Sequence, residues 1–255
     1  MSSLRTSRWI VAGLALAGVV AWTASRISSL SLDTQATNPI MRWEWLFLRE
    51  GTRDELRDAT WEHLTLTFTA VLAGILISAV LAAIALRLRW TFAPITAFAS
   101  FLYTIPSVAL FGLLVTELGN VRSAQIALTS YTLLILVRNM VAGIDGVPRA
   151  VTDAADGLGM TRTRRLATVE LPLALPVIIA GIRVATVTTV GLVAITAIIQ
   201  LGGLGRLIFD GYGQQFYTKM VVGSVLSVLL AVVLDLVFYR LEHLLTPWAR
   251  RRSAR

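Results

Sequence analysis

The stretch GVPRAVTDAADGLGMTRTRRLATVELP, residues Gly146 to Pro172, is the longest polar interruption between apolar segments in the second half of the chain. It carries Arg149, Arg162, Arg164 and Arg165. Lys and Arg collect on the cytoplasmic side of membrane proteins, so this segment is expected there. Pro148 suits the first turn of a short helix, which Asp153, Ala154 and Ala155 can continue. Gly157 and Gly159 then allow a sharp bend that a residue with a Cβ would resist. Pro172 and Pro176 restart the chain as it re-enters the bilayer. The expected product is a compact helical knob outside the membrane, rigidly joined to the spans on either side.

The rest of the composition agrees with a membrane setting. Of 255 residues, 56% are hydrophobic and 15% charged, and the mean hydropathy is +0.72. A soluble domain of this length carries more charge. The net charge of +8 does not indicate nucleic acid, because the arginines sit at segment ends and in loops, where topology and anionic lipid explain them. The absence of cysteine excludes disulfides, thiol catalysis and thiolate metal sites. The two histidines, His63 and His243, are too far apart in sequence to suggest a metal site. There is no G-x4-G-K-[ST] phosphate loop, and the single lysine is Lys219. If this chain is pumped, another polypeptide supplies the nucleotide site.

Taken in order, residues 1–25 hold an apolar segment, Trp9 to Ala24, read as a retained span with a cleaved signal peptide as the alternative. Residues 26–61 are mixed and polar. Within them Trp43 to Trp61 suits an interfacial helix on the outer surface, or a plain external loop. Residues 62–245 then supply five apolar spans. These are His63–Leu86, Phe92–Val115, Val121–Ala142, Leu173–Gln200 and Lys219–Tyr239. Pro106 is expected to kink or break the second of them. Residues 246–255 form a basic tail. With both termini inside, the cytoplasmic side collects Arg5, Arg8, Arg87, Arg89, the arginines of 146–172 and the tail.

Four further features bear on function. Thr186, Thr189, Val193, Thr196 and Gln200 recur at spacings of three and four, which stack on one helix face. They read either as the lining of a translocation path or as interhelical packing. Arg183 and Asp235 are charges within spans. Arg183 can snorkel to headgroups, and Asp235 can pair with Arg240 or a neighbouring helix. Gly202, Gly203 and Gly205, in LGGLGRLIFDGYG, mark an external gate or docking surface, or a simple connection. No nucleophile–base pair is evident that would make the chain an enzyme.

One pattern within 146–172 is specific. Asp153-Ala154-Ala155 is followed after three residues by Gly159, and after nine more by Val169, one residue, Leu171-Pro172. This resembles the E-A-A-x3-G-x9-I-x-L-P loop of ABC-importer permeases, with Asp153 for Glu and Val169 for Ile. The strings TIPSVAL, DAADGLGMTRTRRLATVELPLALPVIIAGIRVATV and LGGLGRLIFDGY resemble the quaternary-ammonium (glycine betaine, carnitine, choline) subgroup of type I importers. The likeness covers about His63 to Leu245. Gln200 departs from the subgroup's small residues before LGGLG, and the N-terminal span is additional.

The resemblance implies an all-α membrane protein with the MetI-like permease fold, a five-helix core plus one extra N-terminal span, in a bacterial inner membrane. It implies that Asp153, Ala154, Ala155, Gly157, Gly159, Met160, Leu171 and Pro172 couple to a separate ATPase. The implied partners are two ATPase copies, a second permease chain, identical or not, an extracytoplasmic substrate-binding protein and membrane lipid. No cofactor is expected on this chain; ATP and Mg belong to the ATPase. The alternatives are a permease for an amino acid and an ion-coupled secondary transporter using Asp235.

Overall fold

A computed structural model describes residues 50–248 together with Arg42, Trp45 and Leu46. The expected span at 9–24, most of the external segment before residue 50, and the basic tail from 249 lie outside the described residues. What is described is helical with short connections, and no strand occurs among the described residues.

Helix α1, Thr52–Arg87, has 36 residues. At 1.5 Å per residue it measures about 54 Å, well beyond the ~30 Å hydrocarbon core. Its first turns carry Arg53, Asp54, Glu55, Arg57 and Asp58 and project past the apolar part. The stretch to Trp61, expected to belong to a separate external segment, therefore continues without a break into the span.

A short 3-10 turn, Arg89–Thr91, leads to α2, Phe92–Thr104, and α3, Ser107–Leu118. These two helices meet at 91°. The cause is Pro106: its ring drives Ile105 out of the helical region, to φ −64° and ψ 128°. The carbonyl of Ile105 then accepts from the Tyr131 hydroxyl, so the break leaves that oxygen satisfied.

Helix α4, Asn120–Asp145, is the central helix, packed against α1, α2, α3 and the long helix that follows the knob. After the knob helix α5, Arg149–Gly157, a short α6, Arg162–Arg165, passes through a π-turn at Leu166–Glu170 into α7, Leu171–Ile195. A 3-10 turn at Thr196–Ile199 ends that rod. Helix α8, Gly203–Gly213, lies at the end of the bundle far from the knob, and α9, Tyr217–Leu245, returns to the knob end. Among the described residues four helices are long and apolar enough to cross a membrane, and the bent α2–α3 pair makes up to five crossings.

Two apolar clusters stack along the bundle. One, toward α8, includes Leu66, Ala70, Phe111, Leu128 and Val193. The other, toward the knob, includes Ala82, Ala85, Leu136, Val137, Ala174 and Ile178. The many alanines let backbones approach, as membrane helices require when lipid is as apolar as leucine. At the α1–α4 crossing a Cβ on Gly74 would lie 1.9 Å from Thr132 Oγ1.

Candidate functional site: the knob between α4 and α7

Pro148, at φ −59° and ψ 133°, precedes α5 and starts it. The helix ends in a Schellman turn. Met160 N–H donates to the Ala155 carbonyl (3.2 Å) and Gly159 N–H to the Asp156 carbonyl (2.9 Å). Gly159 occupies the left-handed position of that turn, at φ +72°. This gives the A-x3-G spacing a physical meaning: Ala155 supplies the last carbonyl and the glycine four residues on reverses the chain. Gly157 does not share the bend expected of it. It remains helical at the end of α5, and a Cβ there would meet nothing within 4 Å.

The knob is held by side chains that no motif position marks. Arg165 Nε donates to Glu170 Oε1 at 2.6 Å, and its Nη1 donates to both carboxylate oxygens of Asp156. One guanidinium thereby ties the end of α5 to the base of α7. Arg162 Nη2 donates to the Leu86 carbonyl of α1 at 3.1 Å. Arg89 makes a two-pronged pair with Asp145, at 2.7 and 2.6 Å, joining the 3-10 turn to the end of α4. Bidentate Arg–carboxylate geometry is the most directional of ion pairs. The one signal for the brace in the sequence is the position of Arg165 between Asp156 and Glu170.

Of the predicted site residues, Ala155 is buried beneath α5, Met160 and Pro172 are half-buried, and Asp153, Ala154, Gly157, Gly159 and Leu171 are exposed. Leu158, which lies outside the motif's fixed positions, is 77% exposed. Ala150, Ala154, Gly157 and Leu158 fall at helical spacing and are exposed together. A small-residue face with one protruding leucine, outside the apolar rods, is a surface that another protein can approach closely.

The stripe on α7 lies elsewhere. Thr186, Thr189, Val193 and Thr196 are all fully or almost fully buried within this one chain. The threonine hydroxyls donate back to their own helix, to Ile182, Ala185 and Val193 carbonyls, each at 2.8 Å. In this one chain these four pack inside the bundle, the interhelical packing that was the alternative to a path lining. Gln200 is exposed in a left-handed conformation, φ 61°, that ends the 3-10 turn. Arg183 does not stand alone. It pairs with Asp235 of α9 through Nε and Nη2, the latter at 2.6 Å, with its guanidinium over the Tyr239 ring.

Gly202, Gly203 and Gly205 are close-packed. A Cβ on Gly205 would lie 2.0 Å from the Ala194 carbonyl oxygen, and one on Gly202 would lie 1.8 Å from Glu62 Oε2. These glycines let α8 press against α7 and α1. No group of three or more His, Cys, Asp or Glu suited to a metal ion occurs among the described residues.

A family model described as the binding-protein-dependent transport system inner membrane component matches residues 70–251. The chain belongs to that family. Membership makes it a multi-pass permease, the membrane subunit of an ABC transporter that works with an ATPase and a substrate-binding protein. Among known relatives of this permease, the osmoprotectant import permease protein OsmW of Salmonella typhimurium is 40% identical over 198 residues, covering 75% of this chain and 92% of the relative. The choline transport system permease protein OpuBB of Bacillus subtilis is 35% identical over 199 residues, covering 78% and 92%. The fold is that of the membrane chain in an inward-facing crystal form of the MetNI methionine ABC transporter, with TM-score 0.69, 22% identity, and coverage of 78% of this chain and all of that one. The expected type I, MetI-like permease fold is therefore the observed one. The family match runs over residues 70–251 and does not reach the expected N-terminal span.

Proposed function

We propose that this permease imports quaternary-ammonium osmoprotectants such as glycine betaine, carnitine or choline, with α5 seated on a separate ATPase. The solute class rests on the names of its relatives. The coupling role rests on one observation: α5 stands outside the apolar rods, its outer face uncovered, while Arg165 and Arg162 fix its base to α7 and α1. A stiff knob transmits a push, and a loose linker would average it away.

On this reading two copies of the chain, or this chain and a related one, enclose the passage, and each α5 sits on one of two ATPase subunits. The knob, α9's end and both termini face the cytoplasm, where the arginines collect. Closure of the ATPase pair on ATP and Mg moves the two knobs together and turns the rods from inward-open to outward-open. An external binding protein releases solute at the α8 end, and hydrolysis resets the inward state. Asp235, the candidate group for ion coupling, is engaged by Arg183, which argues against the secondary-transporter alternative.

The test is uptake by proteoliposomes holding the permease, its ATPase and its binding protein, over a panel of glycine betaine, carnitine, choline and amino acids. Quaternary ammonium compounds are expected to be taken up only with ATP. Gly159→Trp and Asp153→Lys are expected to abolish uptake with membrane insertion intact. Normal coupled uptake by both variants would remove α5 from the mechanism, and uptake of amino acids alone would remove the solute assignment.

A further inference from the structure

The far end of the bundle contains an arrangement that none of the functional assignments above uses. The residue before α8 and the first two residues of α8 present three backbone amides, and all three are held by two consecutive side chains of α1. Gly202 N–H donates to Glu62 Oε1 (3.0 Å) and Gly203 N–H to Glu62 Oε2 (3.2 Å). Leu204 N–H donates to His63 Nδ1 at 3.3 Å. His63 Nε2 lies 3.0 Å from the Val190 carbonyl of α7. Because Nδ1 accepts, the ring proton is on Nε2, and Nε2 donates to Val190. His63 is fully buried.

The first amides of a helix have no partner within it. They are normally capped by the residue just before the helix, which here is glycine. In this chain the cap comes from another helix, and the carboxylate faces the positive end of α8. His63 also ties that cap to α7. Lys219 of α9 adds a second tie at this end, at 2.6 Å from Glu55 of α1 and 3.5 Å from Asp210 of α8.

We propose that Glu62 and His63 form a clasp that makes α8 move as one body with α1 and α7 during transport. Gly202 and Gly203 would otherwise make a hinge at the start of α8, and the clasp removes it. The rod α7 joins the two ends of the molecule: Arg165 and Glu170 fix its base to the knob, and Val190 and Ala194 meet His63 and Gly205 near its other end. Displacement of the knob therefore reaches α8 without slack. Glu62 and His63 are positioning residues; they touch no solute in this arrangement. The proposal rests on the transport reading above.

The experiment uses the full complex in proteoliposomes and compares wild type with Glu62→Ala and Glu62→Gln. Glu62 is exposed, so truncation should leave the bundle folded, and an unchanged melting temperature checks this. His63→Gln, which keeps an amide donor, serves as the second site. Hydrogen exchange of the Gly202–Leu204 amides is expected to quicken at least tenfold in Glu62→Ala and less in Glu62→Gln. Solute uptake is expected to fall at least fivefold with ATP hydrolysis retained, so more ATP is consumed per solute. Unchanged exchange would overturn the clasp. Faster exchange with normal uptake per ATP would overturn its role in transport. A wild-type complex that moves no solute on the panel would defeat the transport reading, and the exchange measurement would still decide whether the clasp holds α8.

Discussion

Helices α5 and α8 are short, carry glycine and sit at opposite ends of the same bundle. Each ends in a Schellman turn with a left-handed residue, Gly159 in one and Gln215 in the other. Their glycines do opposite things. Around Gly157 and Gly159 a Cβ would meet nothing within 4 Å, whereas at Gly205 and Gly211 it would strike backbone, at 2.0 Å from Ala194 O and 2.6 Å from Met220 N. Gly159, just past α5, serves a backbone turn, and both it and Gly157 leave the surface open. Gly205 and Gly211 in α8 serve close approach to the chain's own helices. Composition treats both as glycine-rich loops; only packing separates an uncovered knob from a packed one.

That contrast can be broken in graded steps. Gly205→Leu is expected to do the most damage, because a rigid backbone carbonyl cannot yield. The cost should be on the order of 3 kcal/mol, seen as loss of monodisperse protein after detergent extraction. Gly159→Ala meets no atom but must hold a left-handed backbone, so it should cost about 1–2 kcal/mol locally. Binding of the ATPase, followed by co-purification, should weaken while the bundle's melting temperature holds. Arg165→Ala frees Asp156 and Glu170 and should slow uptake severalfold with a small change in melting temperature. Glu170, buried beside it, loses the guanidinium that pairs with it, so Arg165→Lys should recover part of the rate. Gly157→Ala is the mildest. In the isolated permease it should stabilise α5 by about 0.5 kcal/mol. A loss of uptake from that one methyl group would mark Gly157 as a point of contact with the ATPase.

Much of this architecture is legible in the order of residues. Apolar runs of sufficient length locate the spans, and Pro106 announces the break between α2 and α3, because a proline removes a donor and displaces the residue before it. The spacing from Ala155 to Gly159 announces the knob, since a Schellman turn has a fixed count. The face of α7 is where local pattern misleads. Thr186, Thr189 and Thr196 share one side, as their spacing requires, but a threonine in a helix can satisfy its hydroxyl on its own carbonyls, and then it is simply a compact residue to bury. Periodicity names the members of a face and is silent on what the face meets. Arg183 and Asp235 illustrate the same limit: 52 positions separate them, and no local pattern joins them.

By itself the sequence determined the class of protein, the number of rods among residues 50–248 to within the bent pair, the place of the knob and the want of a nucleotide loop. These follow from hydropathy over about 20 residues, from turn chemistry, and from motif content, all of them local in the chain. Tertiary structure alone decided which glycines are open, which threonines are interior, that Arg165 braces the knob, and that Glu62 and His63 hold α8 across 140 and 141 positions. Such contacts depend on how helices cross, and a crossing is set by the shapes of both partners at once, which no single stretch of sequence contains.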